Sequence, residues 1–373
     1  MEEDLMPVKD FPGRGKVAVL KTSPQTVLED YRRLMHMAGY QDALPQDKDL
    51  LIKLNLSWTK FFPACSTPPW QLEGVIRTLL DDGYRREQLY PVENKTVVTN
   101  PRQGAINNRW MPVLEKYGLP FIALPEVEWV KYEFKGLLKL NQIFPEIEIP
   151  KMFIGKSVIH LPTLKTHGHS VTTGAIKNAF GGLLKEVRHY GHEFIHEVLV
   201  DLLTMQYQLH PGIFAVMDGT VCGDGAGPRT MRPVIKNYIL ASADQVAIDA
   251  IAAKMMGFDP LEIPYLRMAA EMGYGVADPK DIEVIGEDIS RVNFGFESKR
   301  SFVIWGDQMI RKGFLRPFYW LLLKSPLWVW APFASNVYHD LFWYPIIGRR
   351  RIEEFMRTDW GKLFESYGAG AGS

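Results

Sequence analysis

Short apolar runs alternate along the chain with stretches whose apolar positions recur every third or fourth residue, a pattern that predicts strands and helices in turn. Val17-Ala-Val-Leu20 reads as a first strand, followed by a helix over Thr26 to Met37. Leu50-Leu-Ile-Lys-Leu-Asn-Leu56 reads as a second strand, ahead of a helix over Pro69 to Asp82 that opens on proline. Thr96-Val-Val-Thr99 and Phe121-Ile-Ala-Leu124 read as strands flanking a helix over Trp110 to Tyr117. The pattern resumes with Ser157-Val-Ile-His-Leu161, a helix from Thr173 to Lys185, and strands at Ile213-Phe-Ala-Val-Met217 and Tyr238-Ile-Leu-Ala241. A helix over Asp244 to Met256 and the run Asp281-Ile-Glu-Val-Ile285 close the series. Such alternation predicts an α/β fold with a mostly parallel sheet and helices on both faces.

Breaks in the pattern divide the chain. Residues 1–126 form an N-terminal α/β lobe and 151–300 a second one, separated by an antiparallel insertion at 127–150 around Trp129-Val-Lys-Tyr-Glu-Phe134. Residues 301–367 are expected to form an aromatic-rich helical appendage, and 368–373, rich in glycine, read as a linker scar. Within 313–347, Trp320, Trp328, Trp330, Phe342, Trp343 and other aromatics lie between Arg311-Lys312 and Arg349-Arg-Arg351. Lys324-Ser-Pro326 and Pro332 leave apolar pieces shorter than the about 20 residues of a spanning helix. Tryptophan flanked by arginine suits a membrane surface, whereas burial of the same rings suits a homodimer or packing on the sheet.

Composition narrows the function classes. The 373 residues carry 43 basic and 43 acidic side chains, so no net field draws nucleic acid. Cys65 and Cys222 are the two cysteines and form no C-x-x-C pair, so this chain alone binds no iron–sulfur cluster; a redox partner holding one jointly stays open. Few cysteines and an acidic start, Met1-Glu-Glu-Asp-Leu-Met6, predict a cytoplasmic protein, with peripheral attachment to membrane the variant.

The chemistry concentrates in one stretch, where five of nine histidines lie between Pro162 and His196. Lys165-Thr-His-Gly-His169 follows a strand, where ligands of open α/β sheets sit, and the helix expected next offers free N–H groups to an anion. Lys53, Lys165, Lys177 and Arg229 are candidate clamps for a small anionic substrate, with Asn55 and Thr67 beside them. His167, His169, His189 and His192 are candidate proton carriers, and Lys177 joins them as a catalytic candidate. His189, His192 and His196 have a spacing that, on a helix, presents at least two imidazoles to a nickel, zinc or iron ion. Gly181-Gly182 permits close approach of a ligand, and Asp218 with the loop containing Gly225, Gly227 and Arg229 is a candidate cradle for phosphate or carboxylate. Asp249, a charge inside an apolar helix, reads as a buried tie to the glycine-rich loop.

Several of these segments carry a family resemblance. Ile52-Lys-Leu-Asn55, Ser66-Thr-Pro68, Leu161-Pro-Thr-Leu-Lys-Thr-His167, Thr173-Gly-Ala-Ile-Lys-Asn178, Asp218-Gly219, Gly225-Ala-Gly-Pro228 and Ala241-Ser-Ala-Asp-Gln-Val-Ala-Ile-Asp249 occur in the order that resembles the family known as domain of unknown function 362. Some members of that family carry a ferredoxin-like module, whose cysteines this chain lacks. Thr173-Gly-x-x-Lys-x-x-Phe-Gly-Gly182 with histidines after it is also similar to the nickel-pincer 2-hydroxy-acid racemases. That resemblance implies Lys177 or Lys185 as a cofactor tether and His189 or His192 as a ligand, although that family's longer Gly-Ser-Gly-Gly run is absent. Two functions follow as expectations. One is an enzyme of racemase, isomerase or redox type with a His/Lys/Gly pocket; the other is a non-catalytic cofactor- or lipid-binding protein at a membrane surface.

Overall fold

The computed structural model describes residues 10–96, 99–185, 191–299, 309 and 337–369. The described strands are β1 (Lys16–Lys21), β2 (Leu50–Lys53), β3 (Leu89–Glu93), β4 (Ile122–Ala123), β5 (Trp129–Lys131), β6 (Glu148–Pro150), β7 (Ser157–His160), β8 (Thr163–His167), β9 (Val171–Thr173), β10 (Ile213–Ala226), β11 (Thr230–Ser242) and β12 (Glu283–Gly286). Ten of them share one sheet in the order β12-β1-β11-β10-β7-β2-β3-β4, with β8 beside β10 and β9 beside β8. Pairing is parallel from β4 through β3, β2 and β7 to β10, whereas β11 runs antiparallel to both β10 and β1. Strands from 1–126 and from 151–300 interleave in this sheet. Residues 127–150 contain the antiparallel pair β5–β6.

The sheet is covered on both faces, and strand alternation decides which core each side chain joins. Val17, Leu51 and Val158 enter the core that includes Leu199 and Ile248, while Ala18, Ile52 and Ile159 enter the one with Leu34 and Ile76. The helix Gln245–Met256 is apolar almost all round because it is buried on nearly every side. Asp244 caps it, accepting from the N–H groups of Val246 and Ala247.

Three elements differ from the sequence pattern. The third strand is Leu89–Glu93 rather than 96–99, and Pro91 within it disguises the run, because proline normally demotes a strand. Thr96 and Thr99 pair as an isolated antiparallel bridge. The helix expected over Thr173–Lys185 is broken into β9 and two four-residue helices, Ala175–Asn178 and Phe180–Leu183. Finally, β10 and β11 run far beyond their apolar runs as a long hairpin that takes in the whole glycine-rich segment.

The described part of the appendage is helical over Val337–Gly348, Arg349–Met356 and Asp359–Ala369, the last helix entering the 368–373 run. The appendage residues 310–336 lie outside the described residues. Aromatic contacts seat the segment on the loop after β2: Phe364 stacks on Phe61 at 3.9 Å, Trp343 meets Phe62 at 5.3 Å, and Trp360 meets Trp70 at 5.0 Å. Among the described residues no helix is long and apolar enough to cross a membrane.

One topological feature places the site. From β2 the chain proceeds to β3 and β4 on one side, while from β7 it proceeds to β8 and β10 on the other. The carboxyl ends of β2 and β7 therefore border a switch point, where open α/β sheets leave a crevice for ligands.

Candidate functional site

Pro162 interrupts the strand that begins as β7, and the chain continues as β8 along the outer half of β10. A period of two places Thr163, Lys165 and His167 on one side of β8. Lys165 is fully buried. Its ammonium donates to Asn55 Oδ1 at 2.6 Å, to the Cys65 carbonyl at 3.0 Å and to Thr163 Oγ1. These three acceptors use all three N–H donors, and each is neutral. Burial pushes the Lys165 amine down to about 8, opposed by Cys65 and Glu93. Gly223 makes the placement of this strand feasible, since a Cβ there would press on Lys165 Cβ and on Met231.

Lys53, at the end of β2, is also buried but has a carboxylate partner. It donates to Glu93 Oε1 at 2.7 Å and to the Leu54 carbonyl at 2.6 Å. Gly181 and Gly182 lie against this lysine: a Cβ on Gly181 would stand 3.4 Å from Lys53 Nζ, and one on Gly182 3.2 Å from Lys53 Cε. The bareness of Gly182 thus admits the chain's own lysine, whereas Gly181 only borders it. Asn55 and Thr67 fasten the loop after β2, with Thr67 Oγ1 accepting from Asn55 N and donating to the Leu161 carbonyl, each at 2.8 Å.

Three histidines and a lysine stand together next to Lys165. The ring centroids of His167 and His169 are 5.9 Å apart, those of His169 and His192 5.2 Å, and His192 meets Phe180 edge-on at 5.3 Å. Lys177 Nζ lies 5.3 Å from the Phe180 ring centroid. His167 Nδ1 accepts from the N–H groups of His169 at 3.1 Å and Ser170 at 3.4 Å, which puts the ring hydrogen on Nε2. Burial above all, then the charges of Lys177, His169, His192 and Lys165, hold its pKa well below the usual histidine range. His167 is therefore a neutral imidazole and an N–H donor near pH 7.

Other expected residues lie elsewhere. His196 stacks on Tyr265 at 6.1 Å, in the first turn of the helix Ile195–Leu209, which begins after His192, so those two do not share a helix face. His189 lies outside the described residues. Among the described residues no three His, Cys, Asp or Glu side chains are grouped to hold a metal. Lys185 is at the surface, paired with Glu148 at 2.5 Å. Of the tether and ligand candidates that the nickel-pincer resemblance implies, Lys185 stands apart, whereas Lys177 and His192 both lie against Phe180.

The glycine-rich segment is a hairpin end. Gly223, Asp224 and Gly225 pair with Pro233, Arg232 and Met231, and Thr166 Oγ1 donates to the Gly225 carbonyl at 2.9 Å. Gly227 packs on the Thr166 carbonyl, and Gly168 N donates to the Gly227 carbonyl at 3.3 Å. This backbone, expected to cradle a phosphate, is engaged with the sheet ladder and with β8. Arg229 lies beside Cys65 and Asp340, its pKa pushed by burial down to about 10. Asp218 is buried on β10 and accepts from Tyr31 Oη at 2.7 Å, Trp70 Nε1 at 3.0 Å and Thr220 Oγ1. It lines a small cavity with Ser66, Thr163, Phe61, Phe355 and Phe364, where the C-terminal segment closes over the sheet.

The start of the short helix Ala175–Asn178 is occupied from within, by the carboxyl group of Asp249. Its Oδ1 accepts from Ala175 N at 2.6 Å and its Oδ2 from Ile176 N at 3.2 Å. The buried tie expected of Asp249 exists, although it runs to Gly174-Ala175-Ile176 and not to the hairpin loop. Burial raises this carboxyl to about 7 against those two hydrogen bonds. Single-residue reading missed Cys65 O, Thr163, Asn178 and Glu93 as members of the site. Thr163 was discoverable, because it stands two positions before Lys165 on a strand.

Residues 50–254 match the family described as Domain of unknown function (DUF362), more than half of the chain. The chain belongs to this family. Its DUF362 span starts at the first residue of β2 and ends within the helix Gln245–Met256, so it encloses Lys53, Asn55, Lys165, the histidine group and Asp249. A relative, the thylakoid-associated protein sll1697 of Synechocystis sp., is 23% identical over 311 residues, covering 77% of this chain and 88% of that protein.

Two substitutions separate close packing from mere proximity in this DUF362 chain. An alanine Cβ at Gly174 collides with Asp249 Oδ1, whereas at Gly181 it makes ordinary contact. In urea unfolding, Gly174→Ala is expected to cost about 2–4 kcal/mol, from strain plus displaced hydrogen bonds, and Gly181→Ala under about 1 kcal/mol. Equal costs would contradict this assignment of the two glycines.

Proposed function

We propose that the crevice at the carboxyl ends of β2, β7 and β8 binds a small anionic ligand, and that the histidines at its rim move protons on that ligand. The observation that carries this reading is the convergence of His167, His169, His192 and Lys177 beside a buried ammonium whose contacts are all neutral. The Lys53 charge is matched by Glu93, so Lys165 leaves positive potential in the crevice. At an effective dielectric near 20, a charge about 6 Å from an anion contributes about 3 kcal/mol without touching it. His167 Nε2–H supplies a donor, since burial first of all holds that imidazole neutral, and the proton transfer falls to His169 and His192 at the rim. A racemase or isomerase acting on a small acid fits these parts, with Lys165 acting through its field rather than by contact.

We propose as a second reading that the chain works at a membrane surface. Leu341 and Ile346, exposed by 72% and 60%, stand five residues apart in the π-helical stretch Val337–Gly348, with Phe342, exposed by 55%, next to Leu341, while His339 and Trp343 face inward. Arg349 and Arg350 follow directly and are exposed. An apolar stripe ending in arginines suits the headgroup region of an anionic bilayer. The thylakoid association named for the relative supports the same reading.

The ligand reading is tested by melting the protein with phosphate, acetate or lactate. At least one of these is expected to raise the melting temperature by several degrees at pH 7, since ligand at 100 times its Kd adds about 2.7 kcal/mol. The shift fades as pH rises through about 8, where Lys165 loses its proton, and Lys165→Met weakens binding about tenfold or more. Without ligand the sign is opposite. The unfolded lysine, near 10.4, binds more protons than the folded one, so stability from this group rises between about pH 8 and 10. Absence of any shift at pH 7, or its survival in Lys165→Met, overturns the reading. For the second reading, the protein is expected to sediment with phosphatidylglycerol vesicles and not with pure phosphatidylcholine. A Leu341→Ser, Phe342→Ser, Ile346→Ser variant should stay in the supernatant; equal sedimentation of both proteins contradicts it.

A further inference from the structure

Lys165 is held by a chain of amides that begins at a backbone carbonyl. The Lys53 carbonyl accepts from Asn178 Nδ2 at 3.0 Å. A carbonyl only accepts, so the NH2 end of Asn178 is fixed toward Lys53, and its Oδ1 must face Asn55. Asn55 Nδ2 accordingly donates to Asn178 Oδ1 at 3.3 Å, which turns Asn55 Oδ1 to the Lys165 ammonium at 2.6 Å. The second N–H of Asn178 points to His160 Nδ1 at 3.4 Å, and His160 Nε2 lies 2.6 Å from Gln206 Oε1. That arrangement needs a neutral His160 with its hydrogen on Nε2, and burial pushes this imidazole down to about 3. All five side chains are buried.

We infer that Asn178 is a positioning residue for Lys165: through Asn55 it keeps a carbonyl oxygen, and not an amide NH2, against the ammonium. If Asn178 is lost, only the ammonium and Thr163 Oγ1, at 3.4 Å, are left to orient the Asn55 amide, and a turned amide sets its NH2 end against a cation that needs an acceptor. The protonated state of Lys165 then weakens, and with it the positive potential of the crevice. This rests on reading Lys165 as the charge of the ligand site, but its test needs no ligand and so stands or falls separately from the binding experiment.

The test is an NMR pH titration of protein carrying 13Cε-labelled lysine, with the Lys165 signal assigned by its loss in Lys165→Met. Asn178→Leu is expected to lower the Lys165 midpoint by about one pH unit, a tenfold loss of proton affinity. In an Asn55→Asp background either carboxylate oxygen serves the ammonium, so turning no longer matters. There Asn178→Leu is expected to leave the midpoint within threefold. Asn178→Ser, a smaller change, provides the same comparison if the leucine variant does not fold. An unchanged midpoint in the Asn55 background, or an equal drop in both backgrounds, overturns the inference, because a purely structural role for Asn178 lowers stability without distinguishing Asn55 from aspartate.

Discussion

A buried ammonium must find acceptors, and the centre of this fold is arranged around that demand. Lys165 draws its three from Asn55 after β2, Cys65 in the following loop and Thr163 on its own strand. Isolated burial of a charge is costly, so these segments are obliged to meet. Their meeting joins β2, β7 and β8 at the switch point and puts the loop 56–68 under the C-terminal aromatic segment. Neighbouring features answer the same constraint: Gly223 gives β8 room beside β10, and Asn178 orients the amide that faces the cation.

Charge is distributed unevenly within that centre. Lys53 and Glu93 neutralise one another, Asp218 is committed to Tyr31, Trp70 and Thr220, and Asp249 is committed to the start of a short helix. Each buried carboxylate described here has its own donors. Lys165 has neutral partners, and its field reaches the half-buried rim formed by His169, His192 and Lys177. The positive potential proposed for the crevice rests on that asymmetry more than on the number of basic residues in the motif.

Much of the fold was legible in the sequence, because apolar runs and helical periodicity report burial directly. The α/β class and the helix that ends at Met256 follow from it. What escaped was decided by partners distant in sequence. Pro91 hid a strand whose identity depends on pairing with β2. The glycines at 182 and 227 read as ligand-binding because bareness in a sequence does not say what fills the space. In three dimensions the fillers are Lys53 and the Thr166 carbonyl. The histidine group at 167, 169 and 192 was visible as a cluster, yet His196 left it, because the helix that carries it starts only after His192.

The central claim is that uncompensated charge at Lys165 makes the crevice an anion site. Anomalous diffraction from crystals soaked in bromide tests it most directly, since bromide reports positive potential without demanding a particular shape. The account predicts an ordered bromide among His169, His192 and Lys177 in the native protein, and its loss in Lys165→Met. Bromide ordered only at surface lysines and arginines, with the crevice empty in both proteins, would contradict it.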